Sequence, residues 1–160
     1  MPKDKISEFL QVLAKGVPDC QNAAVFFARK QSDATYLSCY QDHAVGIPSM
    51  REQFQNQSLK PFTWFMPQVY ATRDLPPQKR LIISDYDLIP DDAPLKKYYP
   101  PSFIAVSDYI LWDAGEFVGW IGLLSTQHRI DWEANLDFIV KTVGEHEPFL
   151  FAAYKEDFLK

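Results

Sequence analysis

Ile6, Phe9, Leu10 and Leu13 recur at the i, i+3, i+4, i+7 spacing of a helix with one apolar face. Asp4 is placed to cap its start, and Gly16 followed by Pro18 ends it. Two strand-like runs come next: Ala23 to Ala28 is almost wholly apolar, and Thr35 to Tyr40 is β-branched and aromatic. The polar stretch Gln31-Ser32-Asp33-Ala34 between them predicts a hairpin turn. From Gly46 to Pro101 the periodicity disappears. Nine of the twelve prolines fall there, each removing a backbone donor and turning the preceding residue away from helix. A short helix over 50–57 and a short strand at Leu81-Ile82-Ile83 are expected inside an otherwise irregular crossover.

Regular patterning returns with strands predicted over 103–112 and 116–126, joined by Asp113-Ala114-Gly115 in a short hairpin loop. If Trp112 faces Glu116, one face carries Ile104, Val106, Asp108, Ile110, Val118, Trp120, Gly122 and Leu124. The other carries Phe103, Ala105, Ser107, Tyr109, Leu111, Phe117, Gly119, Ile121 and Leu123. Both faces are mostly apolar, so the sheet is expected to be covered on both sides. A final helix is predicted from Asp131, its N-cap, toward Phe158, with Pro148 in its path. Its stripe of Leu136, Ile139, Val140 and Val143 continues through Leu150, Phe151, Tyr154 and Phe158, more than one sheet is expected to cover. A homodimer pairing this stripe with its mate is the expectation that follows.

A chain of 160 residues fits one domain, here 1–160. With 16 basic against 21 acidic residues and no basic cluster, it does not suit a nucleic-acid backbone. No apolar run approaches the length of about 20 residues that spans a membrane. Two cysteines, Cys20 and Cys39, make no disulfide framework, and a cytoplasmic location with two free thiols is expected.

The order helix, hairpin, irregular crossover, hairpin, long helix resembles a GAF domain. Arg80-Leu-Ile-Ile-Ser-Asp85 resembles the strand that precedes the GAF crossover. Phe103-Ile-Ala-Val-Ser107 and Gly115-Glu-Phe-Val-Gly-Trp-Ile-Gly-Leu-Leu124 resemble the family's second hairpin, and Trp132 to Ile139 its closing helix. The proline inside that helix is also similar to GAF-like input domains of LuxR-type transcription regulators, though the DNA-reading region of those regulators is not expected here after Phe158. The resemblance implies an α/β (α+β) fold: a mixed or antiparallel sheet, terminal helices on one face and the crossover on the other. It implies a sensory or regulatory module that signals the presence of a small-molecule effector through its terminal helices to an output domain or partner.

Residues that carry chemistry are few. Cys39-Tyr-Gln-Asp-His43 pairs a thiol with an imidazole, but on a strand i and i+4 lie about 13 Å apart, too far for one metal. GAF-type pigment proteins attach a bilin to a crossover cysteine usually followed by His; Cys39 precedes the crossover and is followed by Tyr40, which argues against covalent pigment. Asp85-Tyr-Asp87-Leu-Ile-Pro-Asp91-Asp92 lacks the glycine and the closing Glu of a calcium loop and reads as an acidic turn with helix-capping aspartates. Glu145-His146-Glu147 reads as a solvated helix face. Residues 44–101 hold no cysteine, against a sulfoxide-reductase-like enzyme on this fold, and no catalytic or metal site is assigned.

The candidate ligand site is Trp64, Tyr70, Asp85 and Tyr86 from the crossover, set over Ser107 and Tyr109 on the sheet face with the smaller side chains. Hydroxyls, one acceptor and stacking rings would meet there; the cofactor or ligand itself is unknown. The competing reading is that these rings fill the space, leaving a structural dimerisation domain with a closed pocket.

Overall fold

The computed structural model describes residues 2–158. The first helix, α1 (Pro2–Gly16), buries Ile6, Phe9, Leu10 and Leu13 as their spacing predicts. Strands β1 (Asn22–Gln31) and β2 (Ala34–Ala44) form the first hairpin, with Ser32 in the left-handed region at its turn (φ 56°). The crossover holds a two-residue edge strand β3 (Gln57–Ser58), helix α2 (Met66–Ala71), strand β4 (Leu81–Ile83) and the single turn α3 (Leu95–Tyr98). Residues 50–56 make turns and bends rather than the helix expected over 50–57, and Gln57 enters β3; the Phe54 carbonyl accepts from Cys39 N–H, which ties this stretch to β2.

Strands β5 (Ala105–Asp113) and β6 (Glu116–Ser125) are joined by Ala114 and Gly115, both at positive φ (51° and 81°), a two-residue turn matched to strand twist. Asp113 therefore pairs with Glu116, one residue from the expected register. A bulge at Val118 shifts the pairing by one residue more, so that Leu111 pairs with Gly119 and Ile110 with Trp120. Beyond the bulge the predicted faces hold, while Phe117 and Val118 exchange sides. Gly119 sits at φ 145°, and a Cβ there would meet the Phe26 carbonyl oxygen at 1.9 Å, so only glycine fits this approach to β1.

The six strands run in the order β3-β2-β1-β6-β5-β4, and every pairing is antiparallel. The last helix, α4 (Trp132–Asp157), opens on Asp131, whose carboxylate accepts from Ala134 N–H at 3.0 Å, and runs on through Pro148. It lies beside α1 on one face of the sheet; the crossover covers the other.

The C-terminal stripe is consumed inside the protomer. Leu150 is fully buried, and Tyr154 and Phe158 pack their rings edge-on against Phe27 of β1. At about 1.5 Å per residue α4 is long enough to cross the whole sheet and cover the hairpin of β1 and β2. The surplus that predicted a dimer interface is thus absent from these residues. His146 also leaves its expected solvated position: its ring lies 4.9 Å from that of Phe9, with Nδ1 2.7 Å from the Thr142 carbonyl.

Candidate functional site

Period-two alternation sends Ala105, Ser107, Tyr109 and Leu111 to one side of β5 and Val106, Asp108, Ile110 and Trp112 to the other. The first set meets the terminal helices and the second meets the crossover, the reverse of the expected placement. Ser107 and Tyr109 are fully buried beneath α1 and α4, and the Ser107 hydroxyl has no hydrogen-bond partner. Burial first, and then the Glu147 carboxylate, push the Tyr109 phenol up to about 12.

The four crossover residues do not converge on a ligand either. Trp64 packs at the margin of the crossover core, and Tyr70 is largely exposed on α2. Tyr86 lies under the Lys96 ammonium, 4.7 Å from the ring centre. Asp85 caps no helix: its Oδ1 accepts from Val106 N–H (2.8 Å) and from the Trp132 indole N–H (3.2 Å). One buried carboxylate thereby ties β5, the crossover and the first turn of α4 together. Arg129 stands 4.0 Å from its other oxygen and pairs with Asp87, whose carboxyl it holds below the usual range.

The space lies one residue along. Between the sheet and residues 50–62 and 98–103 of the crossover is a cavity of about 290 Å³. Phe26, Val106, Trp120 and Gly122 form its sheet side, and Phe54, Phe62, Tyr98, Tyr99 and Phe103 its crossover side. Gly122 makes the room: a Cβ there would meet the Phe26 ring at 2.9 Å and Asp108 Oδ1 at 3.1 Å. The face of Trp120, opposite the one with the smaller side chains, is the face that carries the cavity. The pocket expected over Ser107 and Tyr109 is thus closed, and the cavity belongs to the opposite face.

Asp108 is the carboxylic acid of this cavity and is only 3% exposed. Its Oδ2 accepts from the Ser84 hydroxyl at 3.4 Å, and Oδ1 stands over Gly122. Burial pushes its carboxyl up to about 8, against a smaller downward pull from Ser84. Burial and the neighbouring Asp108 also hold the Tyr99 phenol well above its usual range. The sequence carried one signal for this site: an acid within an otherwise apolar strand, facing a glycine across the pair Asp108–Gly122.

Other chemistry is weak. Cys20 and Cys39 are free thiols, and burial raises both, Cys39 to about 12, which leaves little thiolate for nucleophilic work. Among the described residues no three His, Cys, Asp or Glu side chains gather as a metal-binding group, and no helix is long and apolar enough to cross a membrane.

No family model matches the chain, and no curated protein matches it. Among solved structures it is similar to the cyanobacteriochrome receptor PixJ, determined in dark and steady-state-illuminated forms. The TM-score is 0.55 at 12% identity, over 91% of this chain and 97% of that one. The fold is GAF-like. At 91% the match covers more of the chain than the motifs between Arg80 and Ile139 that carry the resemblance in sequence.

Proposed function

We propose that this domain is a sensory or regulatory module of the GAF type, which binds a small molecule in the Asp108 cavity and reports occupancy through its terminal helices. The observation that carries the reading is the cavity itself: mainly apolar walls around one deeply buried polar group, the usual composition of a small-molecule site. A domain whose fold needed only to be filled would have no use for a carboxyl desolvated in its interior, since such burial is costly without a partner. The receptor of similar fold is a light sensor, which agrees with a sensory role but does not supply the ligand.

The route from pocket to helices runs through Asp85. Val106 lines the cavity, its N–H is held by Asp85, and the same oxygen takes the indole N–H of Trp132, the first residue of α4. A ligand that shifts β5 or the crossover acts on α4 through this shared acceptor. The partner or output domain that reads α4 belongs to the same proposal, as does a cytoplasmic setting.

The test is a thermal-shift screen with nucleotides, small aromatics and lipid-like compounds, run beside a Gly122→Leu variant that fills the cavity. Binders are expected to raise the Tm of the native domain by several degrees and to leave the variant unmoved. Equal shifts in both proteins would place binding elsewhere; no shift from any class would reject the reading.

A further inference from the structure

We infer that the cavity takes an organic cation: a small molecule whose ammonium sits against the Asp108 carboxylate and whose apolar body lies among Phe26, Phe54 and Trp120. This deepens the reading of the cavity as a ligand site and rests on it.

Charge decides the class. Asp108 lines the cavity and no Lys, Arg or His does, so nothing there neutralises a phosphate or carboxylate. An anionic ligand would find no countercharge in this poorly screened interior. The next acid outward has the same sign. Asn22, also in the lining, donates through Nδ2 to Asp42 Oδ2 at 2.9 Å, and Asp42 in turn accepts from Ser49 Oγ and Met50 N–H at the rim.

The walls favour the same ligand. Phe26 stands at the centre of an aromatic group, with Phe54 edge-on at 5.2 Å and Trp120 at 6.2 Å between ring centres. Aromatic faces attract a cation when water is excluded, and a ring or alkyl body gains contact area from the same surfaces. Asp108 Oδ1 makes no hydrogen bond to any described residue, while Oδ2 is served only by Ser84 at the long distance of 3.4 Å. A buried carboxyl this poorly satisfied is raised toward neutrality by burial. An ammonium at Oδ1 supplies both the missing donor and the missing countercharge, and the charged pair becomes the stable form. Tyr98, more than half exposed beside the cavity, marks the entrance.

Three probes of one shape separate the possibilities: 2-phenylethylamine, 2-phenylethanol and phenylacetate, each titrated by ligand-observed NMR and calorimetry at pH 7. The amine is expected to bind at least tenfold more tightly than the alcohol, and phenylacetate more weakly than either. Asp108→Asn keeps the shape and an acceptor for Ser84, and it should abolish the tenfold advantage of the amine over the alcohol. Alcohol and amine binding equally to the native domain would overturn the cation and leave the cavity as a ligand site. Binding of none of the three would overturn both. An amine preference that survives in a folded Asp108→Asn protein would also overturn it, because the charge would then be recognised elsewhere.

Discussion

The two faces of this sheet come from the same strands and differ in what covers them. On the helix side Phe9, Leu10, Leu13, Tyr109 and Leu150 are all at 0–1% exposure. Two long elements lie across the strands there, and their side chains interdigitate to close packing. On the crossover side the cover is built from turns, a two-residue strand and short helices rich in proline. Such pieces bring rings to the sheet at several angles and leave about 290 Å³ between them. Regular cover fills a face, whereas irregular cover leaves room that a glycine and an acid in the strands then shape.

The comparison breaks first if the helix side proves tolerant. Phe9→Ala should cost about 3–5 kcal/mol, a large-to-small change in a site with no room to collapse. Phe54→Ala, half-buried on the cavity wall, should cost no more than about 1.5 kcal/mol, because its neighbours already border space. Urea unfolding of the two variants measures the difference, and equal losses would make the two faces alike.

The second test concerns charge. Asp108 holds its proton to about 8 in the folded protein, whereas in the unfolded chain a carboxyl ionises near 4. Its contribution is thus fully present below pH 4 and is lost as pH rises toward 8, at up to about 1.4 kcal/mol per pH unit. Asp108→Asn should flatten that slope and make the domain more stable than the native form at pH 8, by on the order of 3 kcal/mol. Denaturant melts at pH 5 and pH 8 would show it; parallel slopes in the two proteins would mean that Asp108 is already ionised at neutral pH.

Asp85→Ala removes the shared acceptor of two donors, Val106 N–H and the Trp132 indole. Leaving both unpaired should cost about 2–3 kcal/mol. Hydrogen exchange should quicken in the first turn of α4 and at Val106 and leave the buried middle of α4 unchanged. Uniform quickening would mean that Asp85 supports the whole fold rather than a link between its faces. The smallest effect belongs to Ser107→Ala. Its hydroxyl is buried without a partner, so its removal should be neutral or stabilising by up to about 1 kcal/mol, as a thermal melt would reveal.

Much of the frame is legible in the sequence because its signals are local. The stripe from Ile6 to Leu13, the turn at Ser32, the turn before Glu116 and the cap at Asp131 each fix an element from a few neighbouring residues. The site is not legible in the same way. Alternation divides Ser107 and Tyr109 from Asp108, but with both faces apolar it does not say which face the helices take. Small side chains on one face suggested room there, yet Ser107 and its neighbours are small because α1 and α4 press close. The opposite face carries the large Trp120, yet Gly122 beside it opens room there. The fate of Leu150, Phe151 and Phe158 was equally nonlocal: whether the stripe is surplus depends on how far α4 reaches across β1 and β2.

The seam between β1 and β6 has a consequence for how the chain reaches its native state. Each hairpin closes over a short loop, and both can form early. Joining Phe27 to Gly119, however, closes a loop of roughly 90 residues, an entropic cost of about 4 kcal/mol beyond a constant. The irregular crossover lies inside that loop and gains most of its contacts only after the seam is made. Folding should therefore be slow for a domain of this size, with the seam as the late step. Until it closes, β1 offers an apolar run from Ala23 to Ala28 with one edge unpaired, the point at which the nascent domain is most exposed to association with its own copies.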